Sequence, residues 1–292
     1  MNTAPAPRNE APGFVITEER GDDVRHSWIS FTSDYGVEDG FVAACAGVIA
    51  TIAPDARVLT VTHSVPPQDI RRGATVLAQT VPYCPQAVHL AVVDPDVGTP
   101  RRPVAIVAEG GVFVGPDNGL LMPAADALGG ARAAYELVEP KYRLSTVSAT
   151  FHGRDIFAPA AAHLATGVDP ELLGPAIDPA ELVRLPKPRI VAEQGELTTE
   201  VLGTDHFGNL QLAARLTDLA AFGATPGETV RVQVRGQALP ATVGRTFADV
   251  PLGETVVFVD SAGHVAIAVN GGSAANHLRC RTRDSVVLRA TR

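Results

Sequence analysis

The chain has 292 residues, enough for two hydrophobic cores; 46% of them are hydrophobic, while aromatics make up only 5%. Its formal charge of −8 argues against a general nucleic-acid binder, whose affinity rests on clustered Lys and Arg. No run approaches the roughly 20 consecutive apolar residues that span a bilayer, so small molecules or proteins are the expected partners.

Residues 1–27 carry neither a basic start nor an apolar signal core and read as a disordered N-terminal extension of a cytoplasmic enzyme. Cys45, Cys84 and Cys280 are odd in number and lack zinc-type spacing, which makes them buried free thiols. From Trp28, WISFTSD is a strand ending in polar residues, and GFVAACAGVIATIAP has apolar residues at helical spacing until Pro54 stops it. RVLTVTH is a second strand, DIRRGATVLAQTVPY a second helix, and AVHLAVVD an almost wholly apolar third strand. This alternation predicts a mainly parallel sheet covered on both faces. PVAIVAE and VFVGPDNG are a close strand pair joined at Gly110-Gly111, and GLLMPAADAL and IFAPAAAHLATG supply further helices.

The proline-rich stretch from 168 to 190 breaks regular structure, and beyond it alternating runs separated by Gly, Asp or Pro predict a small barrel or sandwich. The expected organisation is an N-terminal α/β domain over 28–185, a linker over 186–193 and a C-terminal β-barrel domain over 194–292.

Ligands of a parallel α/β sheet gather beyond the carboxyl ends of its strands. Ser33, Asp34, Glu38 and Asp39 follow the first strand, His63 the second and Asp94 the third. Asp34 reads equally as an acceptor for vicinal sugar hydroxyls and as a cap for the next helix. The acidic residues of SDYGVED also suit a hard cation, but the rest of the chain offers no matching acidic cluster. DPDVGTPRR reads alone as a turn with Arg101 and Arg102 solvated, and FHGRDIF as a helix entry where Asp155 pairs with Arg154. Taken together, a carboxylate, a guanidinium and an imidazole make a device for managing water as a nucleophile.

In order, SDYGVEDGF, THSVPPQDI, VVDPDVGTPRRP, VGPDNGLL, TFHGRDIFAPAAAHL, DHFGNLQL and SAGHVAIAVNGGSAA resemble the S-adenosyl-L-methionine hydroxide adenosyltransferase family, relatives of the fluorinases and chlorinases. The likeness runs from about Trp28 to the C-terminus. It implies hydrolysis of S-adenosyl-L-methionine to adenosine and L-methionine, with the methyl donor as substrate and no cofactor or metal. It further implies a homotrimer with its site between one subunit's N-terminal domain and a neighbour's C-terminal domain. By the same resemblance Asp94, Arg101 and His152 are the water-activating triad, Asp34 holds the ribose hydroxyls and Asp39 lies near the substrate. Asp205 faces the methionine part, Asn209 the adenine edge and Phe207 a ring face; Ser261 contacts the methionine carboxylate, and the backbone from Val269 to Gly271 meets adenine. Two residues depart from the family pattern: Asp96, where glycine is usual, brings an extra carboxylate towards the nucleophile, and Ala266, where glutamate is usual, removes a polar contact. Two alternatives are a halogenase using chloride or fluoride at the same carbon, and a nucleoside-binding protein without turnover.

Overall fold

The computed structural model describes residues 26–291. The chain divides into two compact units, Met1–Leu185 and Pro186–Arg292. The first contains, in chain order, β1 (Trp28–Ser33), α1 (Phe41–Ile52), β2 (Arg57–Thr62), α2 (Ile70–Thr80), β3 (Ala87–Val92), β4 (Pro103–Ala108), β5 (Gly111–Pro116), α3 (Met122–Ala127), β6 (Ala133–Glu136), α4 (Ala158–Ala165) and β7 (Ala176–Ile177). They form one seven-stranded sheet in the order β2-β1-β3-β5-β4-β6-β7.

The pairings β1–β2, β1–β3 and β3–β5 are parallel. β4–β5, β4–β6 and β6–β7 are antiparallel, because the chain doubles back at Glu109-Gly110 before β5 inserts beside β3. β3 is therefore an interior strand, flanked by β1 and β5, and all six of its residues are buried. Such a strand must be apolar on both faces, as AVHLAV nearly is. On one face α1 packs with α4 around Phe31, Ile49, Phe157 and Leu164; on the other, α2 packs with α3 around Leu77, Phe113 and Leu120.

Of the extension expected over 1–27, residues 1–25 lie outside the described part. His26, within the expected extension, is buried, its N–H bonded to Ala165 O at 3.2 Å. Val191–Glu193, inside the expected linker, form the strand β8. All three cysteines are free; Cys84 is only half-buried rather than buried.

The second unit continues with β9 (Glu196–Thr204), β10 (Leu210–Arg215), α5 (Leu216–Phe222), β11 (Thr229–Val234), β12 (Gln237–Val243), β13 (Thr255–Val259), β14 (His264–Val269), α6 (Ala274–Leu278) and β15 (Ser285–Ala290). The order β10-β14-β13-β12-β11-β15-β9 closes through β9–β10 into a seven-stranded barrel, with β8 paired outside on β9. Its pairings are antiparallel except for β12–β13, which is parallel, and closure removes the exposed strand edges of so small a sheet. Alternate residues such as Val230, Val232 and Val234 fill the interior. Among the described residues no helix is long and apolar enough to cross a membrane.

Two buried Ser–His pairs brace β1 to its neighbours: Ser30 Oγ with His89 Nδ1 and Ser33 Oγ with His63 Nδ1, each at 2.8 Å. The Nε2 atoms of His89 and His63 are buried without partners, so both rings are kept neutral. Burial pushes His89 down to about 4, with the nearby His26 adding to the effect, and burial lowers His63 as well. Since the unfolded chain binds the proton more tightly, this stability is intact above the ordinary histidine value and is lost as pH falls from about 6.5 towards 4. For His89 alone the loss is on the order of 3 kcal/mol. Urea midpoints are expected to fall between pH 7.5 and pH 5, and to fall less in His89→Asn.

Candidate active site

Asp34 follows β1 but does not cap α1, whose first turn begins at Gly40 with no side-chain cap. Its Oδ2 instead accepts the backbone N–H of Gln68 at 2.9 Å. That N–H is aimed by a turn over Pro66–Asp69, closed by Asp69 N–H to Pro66 O at 3.0 Å, in which Gln68 has φ +67°. A proline second and a left-handed residue third is the type II pattern, which usually takes glycine at that third place. Asp69 then caps α2 by accepting Arg72 N–H. Asp39 is exposed at the entry to α1.

The residues that follow β3 meet those that precede α4. Arg101 Nε donates to Asp94 Oδ1 at 3.0 Å and Oδ2 at 3.1 Å, and its Nη2 donates to Oδ2 at 2.5 Å. Nη2 also lies 2.7 Å from His152 Nδ1. A guanidinium has no lone pair to offer, so Nδ1 is the acceptor and neutral His152 carries its proton on Nε2. The Arg101 and Asp94 side chains are 7% and 5% exposed, and the guanidinium lies over the Phe157 ring, 5.1 Å from its centroid. Burial, and after it the Arg101 charge, lowers the His152 pKa below its ordinary value; Asp94 pulls the other way and Arg143 adds to the lowering. Asp94, Arg101 and His152 are thus one network, joined across fifty residues.

Local structure explains the convergence. In the 94–101 turn, Gly98 has φ +81°, and a Cβ there would stand 2.6 Å from Ala149 O; the turn rests on the segment that leads to His152. Residues Gly153–Phe157 form a π-helical turn, with Ala158 N–H reaching back to Gly153 O. Such turns are rare and recur at functional sites. A Cβ on Gly153 would fall 1.9 Å from the Tyr35 hydroxyl, so the His152 turn is seated on the loop after β1.

Arg154 Nε donates to the fully buried Asp155 at 2.6 Å, and Ser148 N–H donates to the same carboxylate at 2.8 Å. Burial works against the Asp155 charge, but these hydrogen bonds outweigh it and hold the carboxyl below the usual range. This pair braces the turn rather than joining the network. Arg102 also leaves the site: it binds the buried Asp117 at 2.7 Å, and Asp117 Oδ1 accepts Val183 N–H. Asp96 is exposed, and its turn uses its carbonyl, which accepts from Thr99.

In the second unit, Asp205 Oδ1 accepts the N–H groups of Phe207 and Asn209, both at 2.9 Å, and its Oδ2 accepts Asn209 Nδ2 at 2.7 Å. The carboxylate folds its own loop and leaves Phe207 76% exposed. Leu210 pairs with Ile267, so this loop and the Val269–Gly271 segment share one end of the barrel. Ser261 sits in the β13–β14 turn at the opposite end of β14. A ligand touching both ends must span His264–Val269, about 17 Å at the rise of a strand. Ala266 is buried in the strand pair with Phe258. Among the described residues no group of three or more His, Cys, Asp or Glu is arranged to hold a metal ion.

Sequence reading missed Gln68, Tyr35, Phe157 and Arg143. The only advance signal for Gln68 was the Pro66-Pro67 pair, which marks a turn.

Fold and network together define a two-part class: a half-parallel α/β sheet with a buried carboxylate, guanidinium and imidazole at its strand ends, followed by a closed barrel. The model of the SAM hydroxide adenosyltransferase N-terminal domain matches residues 29–174 and that of its C-terminal domain residues 199–287; the chain belongs to this family. A protein of Salinispora arenicola named (R)-S-adenosyl-L-methionine hydrolase is 57% identical over 89% of this chain and 96% of its own length. One of the same name from Thermus thermophilus is 43% identical over 84% and 93%. A fluorinase of Nocardia brasiliensis is more distant, at 30% over 86% and 93%. Among solved structures, an uncharacterised conserved protein from Thermotoga maritima superposes with TM-score 0.84 at 34% identity, covering 89% of this chain and 99% of that one.

Because Arg101 is almost wholly buried, removing Asp94 strands a guanidinium without its counter-charge. Asp94→Ala is expected to lose about 3–5 kcal/mol of stability, measured by urea unfolding, and Asp94→Asn markedly less. The asparagine variant is therefore the cleaner probe of chemistry.

Proposed function

We propose that this chain hydrolyses S-adenosyl-L-methionine to adenosine and L-methionine, a water-derived hydroxide attacking ribose C5′ and the sulfonium leaving as methionine. The single observation that carries this reading is the buried network of Asp94, Arg101 and His152, and the names of its relatives agree with it. One C–O bond forms and one C–S bond breaks, and water's second proton goes to solvent through the site. The positive sulfonium and negative nucleophile cancel in the transition state, so a dry, preorganised pocket favours the reaction over bulk water.

The proton inventory of the network divides the roles. Neutral His152 already has a proton on Nε2 and its Nδ1 is occupied by Arg101, so it orients water as a donor. Asp94 retains lone pairs beyond those used by Arg101 and is the acceptor of water's proton. Arg101 stabilises the hydroxide and fixes both partners. Asp34, held through one oxygen by Gln68, offers the other to the ribose diol, with Asp39 beside it. Asp205, Phe207, Asn209, Ser261 and the Val269–Gly271 backbone form the methionine and adenine contacts. In this reading a homotrimer completes each site with a neighbour's barrel unit, and light scattering at three times the chain mass is the expected result. Three free thiols suit a reducing cytoplasm.

A halide would have to sit against the Asp94 carboxylate, and like charges oppose it; the hydrolytic reading is therefore preferred to the halogenase. In chloride buffer prepared in ¹⁸O-water, the products expected are methionine and adenosine labelled at its 5′ oxygen. Chlorodeoxyadenosine, or unlabelled adenosine, would sink the proposal. Binding without any product would assign the chain to the carrier reading.

Turnover requires His152 Nδ1 unprotonated. It should fall with decreasing pH through a midpoint below the ordinary histidine value, and His152→Gln should lower kcat far more than it raises KM.

A further inference from the structure

Among the described residues, four that are not glycine hold a left-handed backbone: Gln68, Arg235, Arg279 and Arg283. Gln68 has its explanation in the hydrogen bond to Asp34. The other three are all arginines, and all lie in one corner of the barrel unit. Arg235 (φ +49°) precedes Gly236 (φ +79°) in the β11–β12 turn, a place that favours Asn-Gly. Arg279 (φ +48°) ends α6, where glycine or asparagine is usual. Arg283 (φ +72°) is third in a turn closed by Asp284 N–H to Arg281 O at 3.1 Å. Glycine would relieve the backbone at each position, so what the chain keeps there is the side chain.

Two of these side chains, Arg235 and Arg279, line a cavity of about 600 Å³ together with Gln237, Asn276 and Arg281, while Arg283 lies outside its lining. The volume falls in the range of small-molecule sites. Arg235, Arg279, Arg281 and Arg283 are exposed. Asp284 is the one carboxylate in the 270–291 segment; its Oδ2 accepts Arg281 N–H and stands 3.7 Å from Arg235 Nη1. Burial pushes the Cys280 thiol up to about 12, so it adds no negative charge. The three lining guanidiniums against Asp284 sum to about +2, in a chain whose formal charge is −8.

We propose that this cavity is a binding site for a phosphate-bearing small molecule of the di- or triphosphate class. Planar guanidinium forks match phosphate oxygens two at a time, and several of them match a ligand with several negative charges. The site uses none of the residues placed in the hydrolytic reading and stands or falls without it.

Titration calorimetry of the full chain with inorganic pyrophosphate at low ionic strength tests it. Saturable binding is expected, weakened about tenfold or more in Arg279→Gly and in Arg235→Asn, the loss of one charge-assisted contact. Both variants should melt a few degrees higher than the parent as the backbone strain is released, which separates a lost ligand contact from a lost fold. Absence of saturable binding would overturn the proposal, as would equal binding by parent and variants, the mark of diffuse attraction to an arginine surface. Variants that shrink the assembly in light scattering, with no pyrophosphate binding by the parent, would instead assign these arginines to a contact between copies.

Discussion

The ion pair between Asp94 and Arg101 is the constraint on which the rest of the first unit depends. Two charges, each less than a tenth exposed, are tolerated only when each completes the other, since desolvation of either alone is far costlier than their attraction in water is worth. The β3 strand and Gly98 turn bring the carboxylate and guanidinium together; Phe157 supplies a ring face beneath the latter. His152 then accepts from Nη2, the same nitrogen that donates to Asp94. Burial first and the Arg101 charge second therefore favour its neutral form.

The positions around this pair show a division of labour among neighbours. Arg101 enters the network, while Arg102 ties the sheet to the segment around Glu181 and Val183 through Asp117. His152 faces Arg101, while Arg154 and Asp155, two and three residues later, close on each other and on Ser148. In both cases one basic residue joins the buried network and a close neighbour in sequence pairs with a carboxylate outside it.

That division is also where sequence reading stopped. The β4–β5 turn was legible from Gly110-Gly111, β3 from a run that is apolar except at His89, and the barrel from alternating strands, because local composition and period fix such elements. The pairing of Asp94 with Arg101 and His152 came from resemblance, since nothing local separates Arg101 from Arg102. The Gln68 N–H that holds Asp34 lies 34 residues away from it and is a backbone group, so no residue type announces it. The antiparallel additions of β6 and β7 were hidden, because the parallel pattern of the first strands gives no warning of where β5 inserts or of what then pairs on β4.

The π-helical turn at Gly153–Phe157 has the geometry left when one residue is added to an α-helix. An added residue rotates everything ahead of it by about 100° around the helix axis. The imidazole therefore owes its direction to chain length as much as to residue identity. Deleting Ile156 from this turn would leave every group named above in the chain and still swing His152 off the guanidinium. Comparisons across the family that count only matching letters would miss such a loss; spacing between His152 and Ala158 is the feature to inspect.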